Sequence, residues 1–194
     1  MPWHHAFPRR AAGGAGAVRG PRGATLVELV AALAIVAMLA ALALPAFGRF
    51  LAEQRLLAEA RRLAEAIAVA RSEAIKRNGV VVLCATAPGA DCGDVRHWHG
   101  GWVAFEDRDG NAVPDADDPP VPLAEPPASP GVTIVGNGPV ERYLRFTYMG
   151  AARTPTGALQ MGTFTVCRQG LVGYRVVLAH SGRTRIERLA GACP

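Results

Sequence analysis

Hydrophobic positions follow three different patterns along this chain. Leu29 to Leu44 is an unbroken run of sixteen apolar residues, entered past a single acid, Glu28, and a leader that carries Arg9, Arg10, Arg19 and Arg22 with no acid. At about 1.5 Å per residue, Ala24 to Phe47 makes roughly 36 Å of helix, enough to cross a hydrocarbon core of about 30 Å. From Leu56 onward the period changes: Leu56, Ala60, Leu63, Ile67, Ala70 and Ala74 recur at steps of three and four, with charged residues on the other faces, the signature of an amphipathic helix. Asn78-Gly79 is a left-handed stop signal, so one helix of roughly 55 residues is predicted by these spacings. Beyond it the apolar residues come in short β-branched or aromatic runs between Gly and Pro turns, at 80–83, 102–105, 132–135, 144–148, 164–166 and 174–178.

These patterns predict an α+β fold, a long N-terminal helix whose first half spans a membrane and whose second half packs on an antiparallel β-sheet head. The expected division is a leader at 1–23, a transmembrane and assembly helix at 24–48, its amphipathic continuation at 49–78, and a β-rich head at 79–194 with a disulfide-tied C-terminus. The Gly-, Ala-, Pro- and Arg-rich leader has no apolar periodicity and is expected to be disordered and discarded. Its arginines bias it to the cytoplasmic side and send the head outward. Of 21 Lys and Arg against 16 Asp and Glu, four arginines lie in the leader, so the high isoelectric point belongs mostly to that segment.

A carboxylate at the mouth of a membrane helix is costly without a partner, and a helix N-terminus alone compensates only part of that cost. Gly23-Ala24-Thr25-Leu26-Val27-Glu28 resembles the class III leader junction of type IV pilins and type II secretion pseudopilins. The resemblance implies cleavage by prepilin peptidase between Gly23 and Ala24, methylation of the new N-terminus, and pairing of Glu28 with a neighbouring subunit's terminal amine during assembly. Pro45, which removes a hydrogen bond to the carbonyl of Ala41 and should bend the helix, is also a pilin feature. Ala24 departs from the phenylalanine usual in that family.

Residues 71–78 (RSEAIKRN), 101–105 (GWVAF) and 181–185 (SGRTR) make the chain resemble the minor pseudopilin family GspH/FimT over nearly its whole mature length. The implied partners are prepilin peptidase, other pilins or pseudopilins, and the bacterial inner membrane before assembly. The head would lie in the periplasm first and later on a pilus or pseudopilus, with the cell surface as one destination.

Cys84, Cys92, Cys167 and Cys193 are even in number and lie in the part expected outside the cytoplasm. Three connectivities are possible; the preferred one joins Cys84 to Cys92 across a short loop and Cys167 to Cys193, tying the tail to a strand. Zinc is disfavoured because there is no Cys-x-x-Cys pair, and His97 and His99 read as loop residues. Residues 107–130 are acidic and Pro-rich, and Asp107, Asp109, Asn111, Asp115, Asp117 and Asp118 invite a calcium reading. The EF-hand pattern places its glycine one residue after the third ligand, whereas Gly110 precedes Asn111, so a solvated hairpin loop is expected instead. Ser181 beside His180 lacks an orienting acid. Neither an enzyme nor a cofactor is expected.

Charge is distributed unevenly. Between Asp91 and Glu125 there are nine acids and two arginines; between Glu141 and Arg188 there are eight arginines and two acids. Arg145, Arg168, Arg175, Arg183, Arg185 and Arg188 are candidates for gripping phosphate, which guanidinium does with paired hydrogen bonds. Arg183 and Arg185 have the spacing that puts side chains on one face of a strand. Gly182-Arg183-Thr184-Arg185 resembles the C-terminal motif of the FimT branch, in which it contributes DNA contacts during natural transformation. The resemblance therefore implies a minor pilin that binds double-stranded DNA. The alternative is a GspH- or FimU-like minor pilin that primes assembly of a pilus or secretion pseudopilus without binding DNA.

Overall fold

The structure, a computed structural model, describes Gly23, residues 25–88 and residues 92–194. The leader arginines and the expected new N-terminal residue Ala24 lie outside the described residues. Helix α1 runs from Leu26 to Arg77, 52 residues. Thr25 Oγ1 accepts the Glu28 amide at 3.3 Å, the first half of a Thr-x-x-Glu capping box, in which the cap side chain satisfies a helix donor that has no partner of its own. Helical backbone continues through Pro45. Lys76 and Arg77 occupy the last turn, where positive charge suits the helix dipole. The left-handed residue that ends the helix is Asn78, at φ 50°, and the Gly79 amide returns to the Ala74 carbonyl at 3.1 Å.

The chain divides between Leu44 and Pro45 into two compact units. In the first, the helix is long and apolar enough to cross a membrane. Leu29, Leu33, Val36, Met38 and Leu42 are all exposed there, an apolar surface that a soluble monomer would not present to water.

The second unit is the head. Eight strands follow the helix: β1 (Val81–Ala85), β2 (Trp102–Glu106), β3 (Pro120–Glu125), β4 (Thr133–Gly136), β5 (Tyr143–Phe146), β6 (Gly162–Cys167), β7 (Val172–Leu178) and β8 (Thr184–Ala192). They form two four-stranded antiparallel sheets, in the orders β3-β2-β1-β5 and β4-β6-β7-β8. The helix stripe Leu56, Ala60, Leu63, Ile67, Ala70 and Ala74 is buried in one cluster with Leu83, Trp102, Leu144 and Phe146 from the first sheet and Ile134, Phe164, Val176 and Leu178 from the second. Alternation explains which residues face inward: in register, Leu83 lies opposite Ala104 and Leu144, and all three belong to that cluster.

Every residue of β1 is buried, because the other face of the first sheet is covered too. Val82, Cys84 and Phe105 pack there with Ala112, from the β2–β3 connection. The connection is the expected hairpin loop, exposed at Arg108, Asp109, Asn111 and 113–117, but it is not solvated throughout: Asp107 and Asp118 are buried, and Asp107 pairs with Arg145 at 3.0 Å. Trp98 fills the space between the two sheets, donating its Nε1 hydrogen to the carbonyls of Val140 and Glu141 and meeting Phe164 edge-on at 5.2 Å. Next to it the His97 and His99 rings stack at 4.1 Å, and burial, aided by the charge of His97, lowers the His99 pKa. Gln160, fully buried, accepts the Arg145 amide and donates to the carbonyls of Pro139 and Tyr143.

Disulfides join Cys84 to Cys92 and Cys167 to Cys193. The second, 26 residues apart in sequence, anchors the end of β8, an edge strand rich in Ala and Gly. Cys167→Ser with Cys193→Ser should lower head stability by about 3 kcal/mol on the loop-entropy scale, a fall in Tm of about 6–12 °C for a domain of this size. Calorimetry of the oxidised wild type against the double variant measures it, and a drop under 2 °C would show that β8 pairing does not need the bridge.

Candidate functional site

Two regions hold the candidate residues. At the N-terminal end of α1, Gly23 precedes the helix and Glu28 sits in its first turn, exposed and with its own amide capped by Thr25. Pro45 lies seventeen residues further along the same helix. This arrangement presents a carboxylate on an otherwise apolar helix entrance.

The arginines end up in four different places. Arg145, on β5, is held against Asp107, with side-chain exposures of 12% and 0%, so it is part of the interior and not of a nucleic-acid surface. Arg188 reaches from β8 to Glu53 of the helix at 3.0 Å, on the side of the sheet that faces α1. Arg168 follows the end of β6, beside Gly131, and the hairpin carrying Arg183 is at the other end of β7. At about 3.3 Å per residue, the seven residues of β7 put those ends roughly 20 Å apart. The single basic cluster expected from sequence is thereby corrected to a smaller one.

That smaller cluster is Arg175, Arg183 and Arg185, all exposed. In register, Arg175 lies opposite Glu187 and Val177 opposite Arg185, so Arg175 and Arg185 share the outer face of the sheet as diagonal neighbours, about 7–8 Å apart. Arg185 Nε bonds Glu187 Oε1 at 2.6 Å, with side chains 65% and 42% exposed. Arg183 sits in the turn just before β8 and has no acid partner among the described residues. A groove of about 350 Å³ lined by Met161, Thr163, Val177, His180 and Arg185 adjoins the hairpin.

The hairpin is aimed by Gly182. The Ala179 amide donates to the Arg183 carbonyl and the Gly182 amide to the Ala179 carbonyl, both at 2.9 Å. Gly182 is at φ +76°, and a Cβ there would stand 2.3 Å from the Gly150 carbonyl oxygen and 2.8 Å from Arg71 Cδ and Nε. Arg71 Nε in turn donates to that Gly150 carbonyl at 2.8 Å, and Gly150 itself is at φ +72° against Ile75. A helix arginine therefore lies against two glycine turns and locks the arginine-bearing hairpin onto α1. Sequence reasoning missed Arg71 and Gly150; the Arg71 position three residues before the stripe residue Ala74 was the available signal, since it borders the packed face.

A long helix carrying a capped, acid-bearing apolar end and a disulfide-bonded antiparallel head defines a pilin-like protein. Residues 19–44 match the prokaryotic N-terminal methylation motif, and residues 59–182 match the family described as type II transport protein GspH. The chain belongs to the GspH family, and is a minor pilin or pseudopilin of a type IV pilus or type II secretion system. The methylation motif makes it a prepilin peptidase substrate, with other pilins as partners, and agrees with anchoring in the inner membrane before assembly. The fold is similar to the type IV minor pilin FimU of Pseudomonas aeruginosa in two crystal forms. One aligns with a TM-score of 0.54 and 20% identity over 74% of this chain and 99% of that one, the other with 0.51 and 20% over 71% and 100%. None of the curated proteins matches the sequence closely enough to count as a relative. The GspH match ends at Gly182, so it takes in the structural glycine and stops one residue short of Arg183.

Gly182→Ala should destabilise the head by about 2–4 kcal/mol, combining left-handed backbone strain with a clash against main chain. A chemical-denaturation midpoint equal to that of wild type would show that the hairpin is not locked as described.

Proposed function

We propose that this protein is a FimT-like minor pilin, incorporated into a type IV pilus, that binds extracellular double-stranded DNA without sequence preference for uptake in natural transformation. The observation that carries this reading is the hairpin itself: Arg183 and Arg185 follow a turn locked to the helix and stand exposed, with Arg175 beside them. Fixed guanidinium groups about 7 Å apart suit a phosphate backbone. In the same reading the basic leader stays cytoplasmic and the head is exported, cleavage falls between Gly23 and Ala24, and Glu28 pairs with the amine of a neighbouring subunit in the filament. Contacts this few give weak binding per head, and several heads on one retracting filament would act together.

Phosphate contacts predict binding that weakens steeply with salt. Among the described residues, the head from about Arg49 contains every buried residue of the core, the first being Leu56, and serves for the test. Replacing Arg183 and Arg185 by alanine should weaken its DNA binding in mobility-shift titrations by roughly tenfold at low salt and flatten the logarithmic salt slope by about two, one per arginine, with Tm unchanged because both side chains are exposed. Identical titrations for wild type and variant would leave filament priming through protein contacts as the function.

A further inference from the structure

We infer that the β2–β3 connection is a calcium site, independent of the DNA reading. One carboxylate oxygen from each of Asp107, Asp109 and Asp118 lies within 4.8 Å of the others. That is twice a calcium–oxygen distance of about 2.4 Å, the largest separation two ligands of one ion can have. Asp107 and Asp118 are buried, at 2% and 8% exposure. Among the six oxygens of the trio, five have donors. Asp107 accepts the Ala112 amide and Arg145 Nε, Asp109 accepts the Asn111 amide and side-chain Nδ2, and Asp118 Oδ1 accepts the Arg108 amide. Asp118 Oδ2 is buried without any hydrogen-bond partner. A buried carboxylate oxygen left unanswered is costly, and three carboxylates here face one guanidinium, Arg145. The excess is two negative charges, in a set of hard oxygen donors: the requirement of a divalent, oxygen-seeking cation.

The spacing agrees with this assignment. Counting Asp107 as the first position, Asp109 is third, Asn111 fifth, the Val113 carbonyl seventh, Asp115 ninth and Asp118 twelfth, the ligand positions of a twelve-residue calcium loop. The sixth position of such a loop makes a sharp turn and is ordinarily glycine. Here it is Ala112, which nevertheless adopts the left-handed conformation, at φ 61°. The objection that Gly110 stands in the wrong place is answered by the backbone, which makes the turn without a glycine. Aspartate in place of the usual twelfth-position glutamate, and the pairing of Asp107 with Arg145, point to the weak end of the range, about 10⁻⁴ to 10⁻³ M.

The test uses the full chain in detergent micelles, stripped of divalent ions and titrated with calcium chloride by calorimetry, with Tm read in parallel. One ion is expected to bind per chain, and 5–10 mM calcium (about ten times the upper Kd above) to raise Tm relative to chelator. Asp118→Asn and Asp109→Asn should each weaken binding at least tenfold, while Arg185→Ala leaves it unchanged. Asp109 is exposed, so its variant keeps the test decisive if Asp118→Asn does not fold. Absence of both heat and Tm shift in the wild type, wild-type affinity in the foldable aspartate variants, or an equal response to magnesium would each overturn the assignment.

Discussion

Both sheets of the head close on one apolar stripe of one helix. Leu56, Leu63 and Ile67 are fully buried between sheets that do not otherwise form a single layer, and each such side chain is worth about 1.5–3 kcal/mol on burial. The alanines between them, Ala60, Ala66, Ala70 and Ala74, keep that face of the helix slim enough for the strands to pack close to it. Remove the stripe and the inward residues of both sheets lose the partner they share along the helix. Because the helix is continuous from Leu26, the element that organises the head is also the element that carries the apolar, membrane-length segment.

Polar contacts then fix what the apolar stripe leaves free. Glu59, buried on the helix, accepts the Ser129 amide and hydroxyl and pairs with Arg62, whose guanidinium lies 4.8 Å from the Trp102 ring; this pins the segment after β3. Near the helix end Glu73 bonds Arg77, and Arg77 reaches Glu106 of β2 at 3.1 Å; the bond from Arg77 lowers the Glu73 pKa and the bond from Glu73 raises that of Arg77. Between these, Arg71 locks the two glycine turns. Three places along the helix thus each hold a different part of the head.

The parts legible in the sequence were those set by local periodicity. The 3.6-residue stripe, the Asn78-Gly79 stop and six of the strands follow from patterns that burial enforces on neighbouring residues. Two strands did not announce themselves. β3 contains Pro120 and Pro122, which a central strand excludes but an edge strand tolerates, and β3 is at an edge. β8 ends in Ala, Gly and Ala and owes its place to β7 and to Cys193. The arginines were readable as a charge count but not as a surface, because which of them meet depends on sheet order. The acidic connection misled for a similar reason: whether Asp107 and Asp118 face solvent depends on Ala112 packing over Phe105 and Val82, a contact that no local pattern encodes.

Ion pairs decide which arginines remain available, and burial decides which ion pairs count. Arg185 and Arg188 both have acid partners, Glu187 and Glu53, yet such exposed pairs are worth roughly 0–1 kcal/mol, so a phosphate can replace the carboxylate at little cost. Arg145 and Asp107 are a buried pair, and separating such a pair costs several kcal/mol because it strands a charge in the interior. The same chemical contact therefore leaves Arg185 open to a polyanion and withdraws Arg145 from it. Gly182 falls on the other side of this division: it sets the direction of the hairpin but carries no charge, and the family pattern that extends to Gly182 ends before Arg183 and Arg185. The core and disulfide contacts beyond that glycine belong to Ile186 and Cys193, whereas the side chains at 183 and 185 are exposed, so they can specify what the hairpin meets without serving the fold.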